Sequence, residues 1–169
     1  MRRPLGLDVV ETQANSELSP QKSAEIAEQL RTRYGDELDG IYDALSYTAL
    51  GAASAKTPDF APVIVTYGGG AETNEAIADG RFTAAIDVLN PLIGRAKAWV
   101  VCQRLAGEEL PGTMEVPFLI VDESNVAEMP TDAEQLKADV DFEALVDADG
   151  NRIAYNGITL PELAGGAAK

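Results

Sequence analysis

The chain has 169 residues, with 13 Lys and Arg against 28 Asp and Glu, a net charge of −15 and a pI near 4.2. That length fits one domain or half of a two-lobed protein, and the charge argues against nucleic acid, whose recognition needs a basic stripe. Histidine is absent and Cys102 is the single cysteine, which excludes Ser-His-Asp and Cys-His catalysis, His-containing or Cys-rich metal sites and intrachain disulfides. An apolar fraction of 46% suffices for a packed core.

Arg2 and Arg3 open the chain, but Asp8, Glu11 and Gln13 interrupt any apolar stretch behind them, so the sequence reads as soluble and without an export signal. Leu7–Thr12 alternates and is rich in β-branched residues, which predicts a first strand. Ser19 followed by Pro20 predicts a capped helix start, and the helix runs to about Tyr34, where Gly35 stops it. Gly40–Ala44 predicts a second strand. The small residues of Thr48–Ala55 predict a tightly packed helix, closed by Pro58.

Pro62–Tyr67 is the clearest buried strand and leads directly into Gly68-Gly69-Gly70. A short helix over Glu72–Ala78, a strand over Phe82–Val88 and a long helix from Asn90-Pro91 to about Arg104 follow. The last helix is expected to turn Gly94, Ala98, Val101 and Leu105 inward. Glu115–Val121 predicts a further strand. Strands alternating with helices imply a parallel α/β sheet with ligands outside the carboxyl ends of its strands, at Ala44–Tyr47, Tyr67–Gly70 and Val88–Asn90.

Beyond Pro130 the character changes. Asp122–Glu143 holds eight acidic residues and one lysine, and Asp149-Gly150 between two alternating runs is a hairpin signal. The chain thus divides into a lobe over 1–129 and an acidic helix and hairpin extension over 130–169.

Several motifs admit two readings. Gly68-Gly69-Gly70 ahead of a helix suits a phosphate or, better, close backbone approach to a small neutral ligand, since Glu72 and Glu75 sit where a phosphate would lie and the Walker spacing is absent. Asp147-Ala148-Asp149-Gly150 resembles part of a calcium loop but has Leu145 at the first ligand place, which favours a plain turn. Cys102 reads as a small buried hydrophobe rather than a nucleophile, and Trp99 as packing rather than stacking on a ligand. No cluster combines nucleophile, base and orienting group, so the sequence points to no enzyme, metal or cofactor.

Val65–Glu72, Ala76–Ala84, Asn90–Gly94, Leu105–Glu108 and Val116–Val121 with Asn125, preceded by Leu38–Ile41 and Ala49–Ala52, resemble in order and spacing the C-terminal lobe of ribose-type solute-binding proteins of ABC transporters. The resemblance spans about residues 7–129. It implies a flavodoxin-like lobe of a two-lobed periplasmic protein, which captures a sugar or polyol in a cleft and passes it to a membrane permease without chemistry. With the strand ends that topology selects, it points to Asp43, Ser46, Tyr67, Gly68, Gly69 and Asn90 as the expected cleft lining.

The sequence departs from the family at Leu45-Ser46, where many members carry Asn-Asp, at Gly68 in place of an aspartate, and at Leu89 in place of a glutamine. The ligand is then less hydroxylated, or Asp43, Ser46, Thr66, Tyr67, Asn90 and glycine backbone groups supply the bonds. The family also has an N-terminal lobe, and one strand and helix ahead of Leu7. Without them Leu7–Thr12 lacks its inner neighbour and the chain is expected to pair with a missing lobe or a second copy. Two other readings are the effector domain of a lactose-repressor-like regulator and an interaction module with no small ligand.

Overall fold

A computed structural model describes residues 6–110 and 118–129, and the expected hairpin and acidic extension of 130–169 lie outside them. Helix α1 (Pro20–Tyr34) starts as its sequence dictates: the Ser19 hydroxyl accepts from the Lys22 amide at 3.1 Å, with proline in the first turn. Arg31 and Arg33 occupy the last turn, where cations suit the helix dipole, and Gly35 ends it at φ 55°.

Strand β1 (Gly40–Asp43), helix α2 (Ser46–Ser54), strand β2 (Val63–Tyr67), helix α3 (Ala71–Ala78), strand β3 (Ala84–Asp87), helix α4 (Asn90–Leu105) and strand β4 (Leu119–Asp122) follow. The sheet order is β1-β2-β3-β4. β1 and β3 run parallel to β2, whereas β4 is antiparallel to β3, with Leu119 opposite Asp87 and Asp122 opposite Ala84. The fold is therefore α/β with a mixed, mostly parallel sheet rather than a wholly parallel one. In this register β4 begins at the end of the sheet where β3 finishes and α4 departs.

The residues Ile41, Ile64, Ala85 and Val121 lie side by side on one face of the sheet. On them sit Ala49 and Ala53 of α2 and Ala76 and Ile77 of α3, with Phe82 and Met129 completing the cluster. Burial of Ile64 and Phe82 contributes about 1.5–3 kcal/mol each. α1 docks on α2 through Ala27, Ala52 and Ala55. Gly51 permits that approach, because a methyl group there would lie 1.8 Å from the Pro20 carbonyl oxygen.

Three expectations fail. Leu7–Thr12 is not a strand: it has no sheet partner among the described residues, and Leu7, Val9 and Val10 are exposed. It is tethered instead by Glu11, which accepts from Arg33 and, at 2.9 Å, from the Tyr34 hydroxyl. The inward face of α4 is not Gly94, Ala98, Val101 and Leu105, all of which are exposed, Leu105 at 84%. Ala96 is buried, and Ile93, Val100 and Gln103 are half-buried. Val100, Val101 and Cys102 are all apolar, so spacing alone does not select a face. Cys102, expected inside, is an exposed free thiol for the same reason.

Candidate functional site

The parallel register brings the carboxyl ends of β1, β2 and β3 to one edge of the sheet, and three loops rise from that rim. Asp43 ends β1. Its Oδ1 accepts from the Leu45 amide at 3.1 Å and the Thr48 hydroxyl at 2.7 Å, while Oδ2 accepts from the Ser23 hydroxyl at 2.7 Å. This carboxylate therefore holds the first loop to α1 and α2, and the loop presents Ser46 at the start of α2. The Thr66 hydroxyl of β2 donates to the Asp43 carbonyl at 2.9 Å and ties the two strand ends together.

The glycine loop fits between its neighbours because it lacks side chains. Gly68, at φ 110°, donates its amide to the Ile86 carbonyl at 2.9 Å, and a methyl group on it would come within 2.8 Å of the Ser46 hydroxyl. A methyl group on Gly69 would lie 1.9 Å from the carboxyl carbon of Asp87. The first and second loops thus touch at Ser46 and Gly68, and the second and third at Gly69 and Asp87. Tyr67 ends β2 on the sheet face opposite α2 and α3, and is 43% exposed.

Asp87 is the rim residue that the sequence reading missed. Its only signal was an acid inside the apolar run Ile86-Asp87-Val88, which reads as ordinary strand alternation. It is buried, and burial raises its carboxyl above the usual aspartate range, an effect partly offset by the Leu89 amide, which donates to Oδ1 at 2.7 Å. That bond accompanies Leu89 in a left-handed conformation, φ 53° and ψ 56°, directly before α4. Asn90 is the first helical residue rather than the cap, and its side chain is exposed at the rim. The predicted Asp43, Ser46, Tyr67, Gly68, Gly69 and Asn90 therefore share one edge of the sheet. Among the described residues no cluster of His, Cys, Asp and Glu could hold a metal ion.

No family model and no curated protein matches the chain. Solved structures do. An ABC transporter periplasmic solute-binding protein from Actinobacillus succinogenes 130z with bound D-allose superimposes at a TM-score of 0.67 with 18% identity, over 73% of this chain and 44% of its own. The fold is that of one lobe of a sugar-type solute-binding protein. An ABC transporter solute-binding protein from Agrobacterium vitis, bound to α-D-tagatopyranose, matches at 0.65 with 22% identity, over 73% of this chain and 42% of its own. A Mycobacterium smegmatis protein in complex with β-D-fucofuranose matches at 0.62 with 21% identity, over 75% and 42%. The chain spans less than half the length of each of these proteins.

Proposed function

We infer that the chain is a lobe of the substrate-binding component of an ABC importer for a sugar or polyol, held at the rim without covalent chemistry. One observation carries this reading: the three loops are built against one another, through Ser46 and Gly68 and through Gly69 and Asp87, so they form a single preshaped edge. Proteins of the same lobe fold hold D-allose and α-D-tagatopyranose, and both are ABC transporter solute-binding proteins. On this reading the protein works outside the cytoplasm, since the Actinobacillus relative is periplasmic. Its downstream partner is a membrane permease.

The rim offers a chemistry suited to neutral hydroxylated molecules. Ser46 and Tyr67 bring hydroxyls that donate and accept, Asn90 brings a carboxamide, and the Gly68–Gly70 backbone allows close approach. The exposed ring of Tyr67 gives an apolar surface for the C–H face of a sugar. Asp43 and Asp87 take the supporting part, one holding the Ser46 loop and the other filling the space beside Gly69.

A single lobe covers a ligand from one side, so affinity is expected to be weak until a second surface closes on it. The test is titration calorimetry of the chain with D-allose, D-tagatose, D-fucose and D-galactose, paired with a thermal-shift screen. Saturable heat and a rise in melting temperature with one of them support the reading, because a ligand that binds only the native state stabilises it by mass action. Absence of both signals for every sugar, from a folded sample, overturns it.

A further inference from the structure

We propose that the ligand carries a primary amine beside its hydroxyls, and that Oδ2 of Asp87 receives the ammonium group at the rim, between the glycine loop and the start of α4. This deepens the sugar or polyol reading and rests on it. Asp87 ends β3 and is 6% exposed. Its Oδ1 is committed to the Leu89 amide at 2.7 Å, and no described residue donates to Oδ2. Among the described residues, Asn74 Oδ1 is the one fully buried side-chain atom without a partner. Oδ2 of Asp87, which also has none, therefore keeps contact with solvent. A methyl group on Gly69 would lie 2.0 Å from Oδ2, which sets that oxygen against the loop at the rim.

The surroundings of this carboxyl do not balance its charge. Leu119 lies opposite it on β4, Gly69 stands beside it and Leu89 follows it. None of the ion pairs among the described residues includes Asp87. Burial therefore raises the carboxyl above the ordinary aspartate range with no cation to oppose it. A ligand hydroxyl would give Oδ2 a hydrogen bond and leave the charge as it is. An ammonium group supplies the bond and the opposite charge together, and such charge-assisted bonds are roughly twice as strong as neutral ones.

The other acids near the rim offer no such opening. Asp43 uses both oxygens, accepting from Leu45, Thr48 and Ser23. Glu72 is exposed to water in the first turn of α3, where a negative charge already suits the helix dipole. The net charge of −15 adds a field that draws a cationic ligand towards the chain and repels an acidic sugar. Ser46, Tyr67 and Asn90 remain the groups for the hydroxyls of the same molecule.

Calorimetric titration of the full chain at neutral pH with D-galactosamine, D-glucosamine, D-galactose, D-glucose and N-acetyl-D-galactosamine provides the test. The acetylated sugar keeps the nitrogen and loses the charge. The two amines are expected to bind at least about tenfold more tightly than the neutral compounds, the lower end for a hydrogen bond to a charged group. Asp87→Asn keeps an acceptor for the Leu89 amide and should cut that ratio to less than about threefold. Glu72→Gln should leave the ratio intact. In an isotopically labelled parent chain, D-galactosamine should shift the Gly69 and Leu89 amide resonances, which locates the amine even if Asp87→Asn does not fold. Amines that bind no more tightly than neutral sugars overturn the inference while the sugar reading stands. A preference that survives Asp87→Asn, a preference lost in Glu72→Gln, or unmoved Gly69 and Leu89 resonances also overturns it. Failure of every compound to bind overturns both readings.

Discussion

Gly69 and Asp87 compete for one space: the only residue without a side chain sits where a methyl group would be 1.9 Å from the Asp87 carboxyl carbon. The carboxyl cannot swing away freely, because its Oδ1 is held by the Leu89 amide at 2.7 Å. Gly69→Ala should therefore destabilise the lobe by about 1–3 kcal/mol through overpacking. Asp87→Ala in the same chain should restore part of that loss. A double-mutant cycle from urea denaturation checks it, and additive effects of the two substitutions would show that the contact is not shared.

Burial raises the Asp87 carboxyl above its ordinary value, so the native state holds that proton more tightly than the unfolded chain does. Between the two values the native form binds more protons, and stability falls as pH rises through that window. Once Asp87 is fully ionised the cost persists to neutral pH. Asp87→Asn keeps an oxygen for the Leu89 amide and removes the charge. Its melting temperature relative to the parent chain is expected to be higher at pH 7 than at pH 4. A difference that is constant with pH would mean that Asp87 is solvated.

Glu11 has the opposite sign. The Gln13, Arg33 and Tyr34 side chains that bond to it hold its carboxyl below the usual glutamate value. The tether is therefore present above the ordinary glutamate range and lost as pH falls through the lowered value. Glu11→Gln should speed proteolytic nicking within Leu7–Thr12 at pH 7 while leaving the melting temperature of the body unchanged, since that segment carries no sheet pairing. Mass spectrometry of limited digests reads the nicking, and a thermal melt reads the stability of the body.

What was legible in the sequence was what local chemistry decides. Ser19-Pro20 caps α1 and Gly35 ends it because those residues satisfy the helix termini on their own. Val63–Tyr67 and its glycine loop are likewise set by β-branched residues and by φ values that only glycine accepts readily. Leu7–Thr12 failed because a strand exists only with a neighbour, and its alternation contains no information about whether one is there. The rotation of α4 failed because Val101 and Leu105 are as apolar as Val100 and Ile93, so the helix offers two equivalent stripes. The rim itself was found through topology, but Asp87 was hidden, since one acid in a strand looks solvent-facing until the register places it beside Ala85 on the covered face.

Gly51 is the tightest backbone contact between α1 and α2. A methyl group there would meet the Pro20 carbonyl oxygen at 1.8 Å and the Pro20 carbonyl carbon at 2.5 Å, both main-chain atoms in the capped first turn. Gly51→Ala must push the helices apart and open the Ala27–Ala52–Ala55 contact. The expected loss is about 3 kcal/mol, the upper end for overpacking. Ser19→Ala, which frees the Lys22 amide but moves no backbone, should cost about 1 kcal/mol. Chemical denaturation of the two variants gives the ranking, and equal losses would mean that α1 can shift along α2.

Asn90 separates binding from folding at the rim. Its side chain is exposed, it does not cap α4, and no described core cluster includes it, so Asn90→Ala should leave the melting temperature within about 2 °C of the parent. If its carboxamide bonds a sugar hydroxyl, the same change leaves that hydroxyl unpaired at a cost of about 1–3 kcal/mol, a loss of roughly 5- to 150-fold in affinity. Ser46→Ala is the companion, because its hydroxyl faces the Gly68 loop from the neighbouring strand end. Calorimetric titration of the parent and both variants with whichever sugar binds gives the answer. Unchanged affinity in both, with unchanged stability, would move the ligand away from this edge of the sheet.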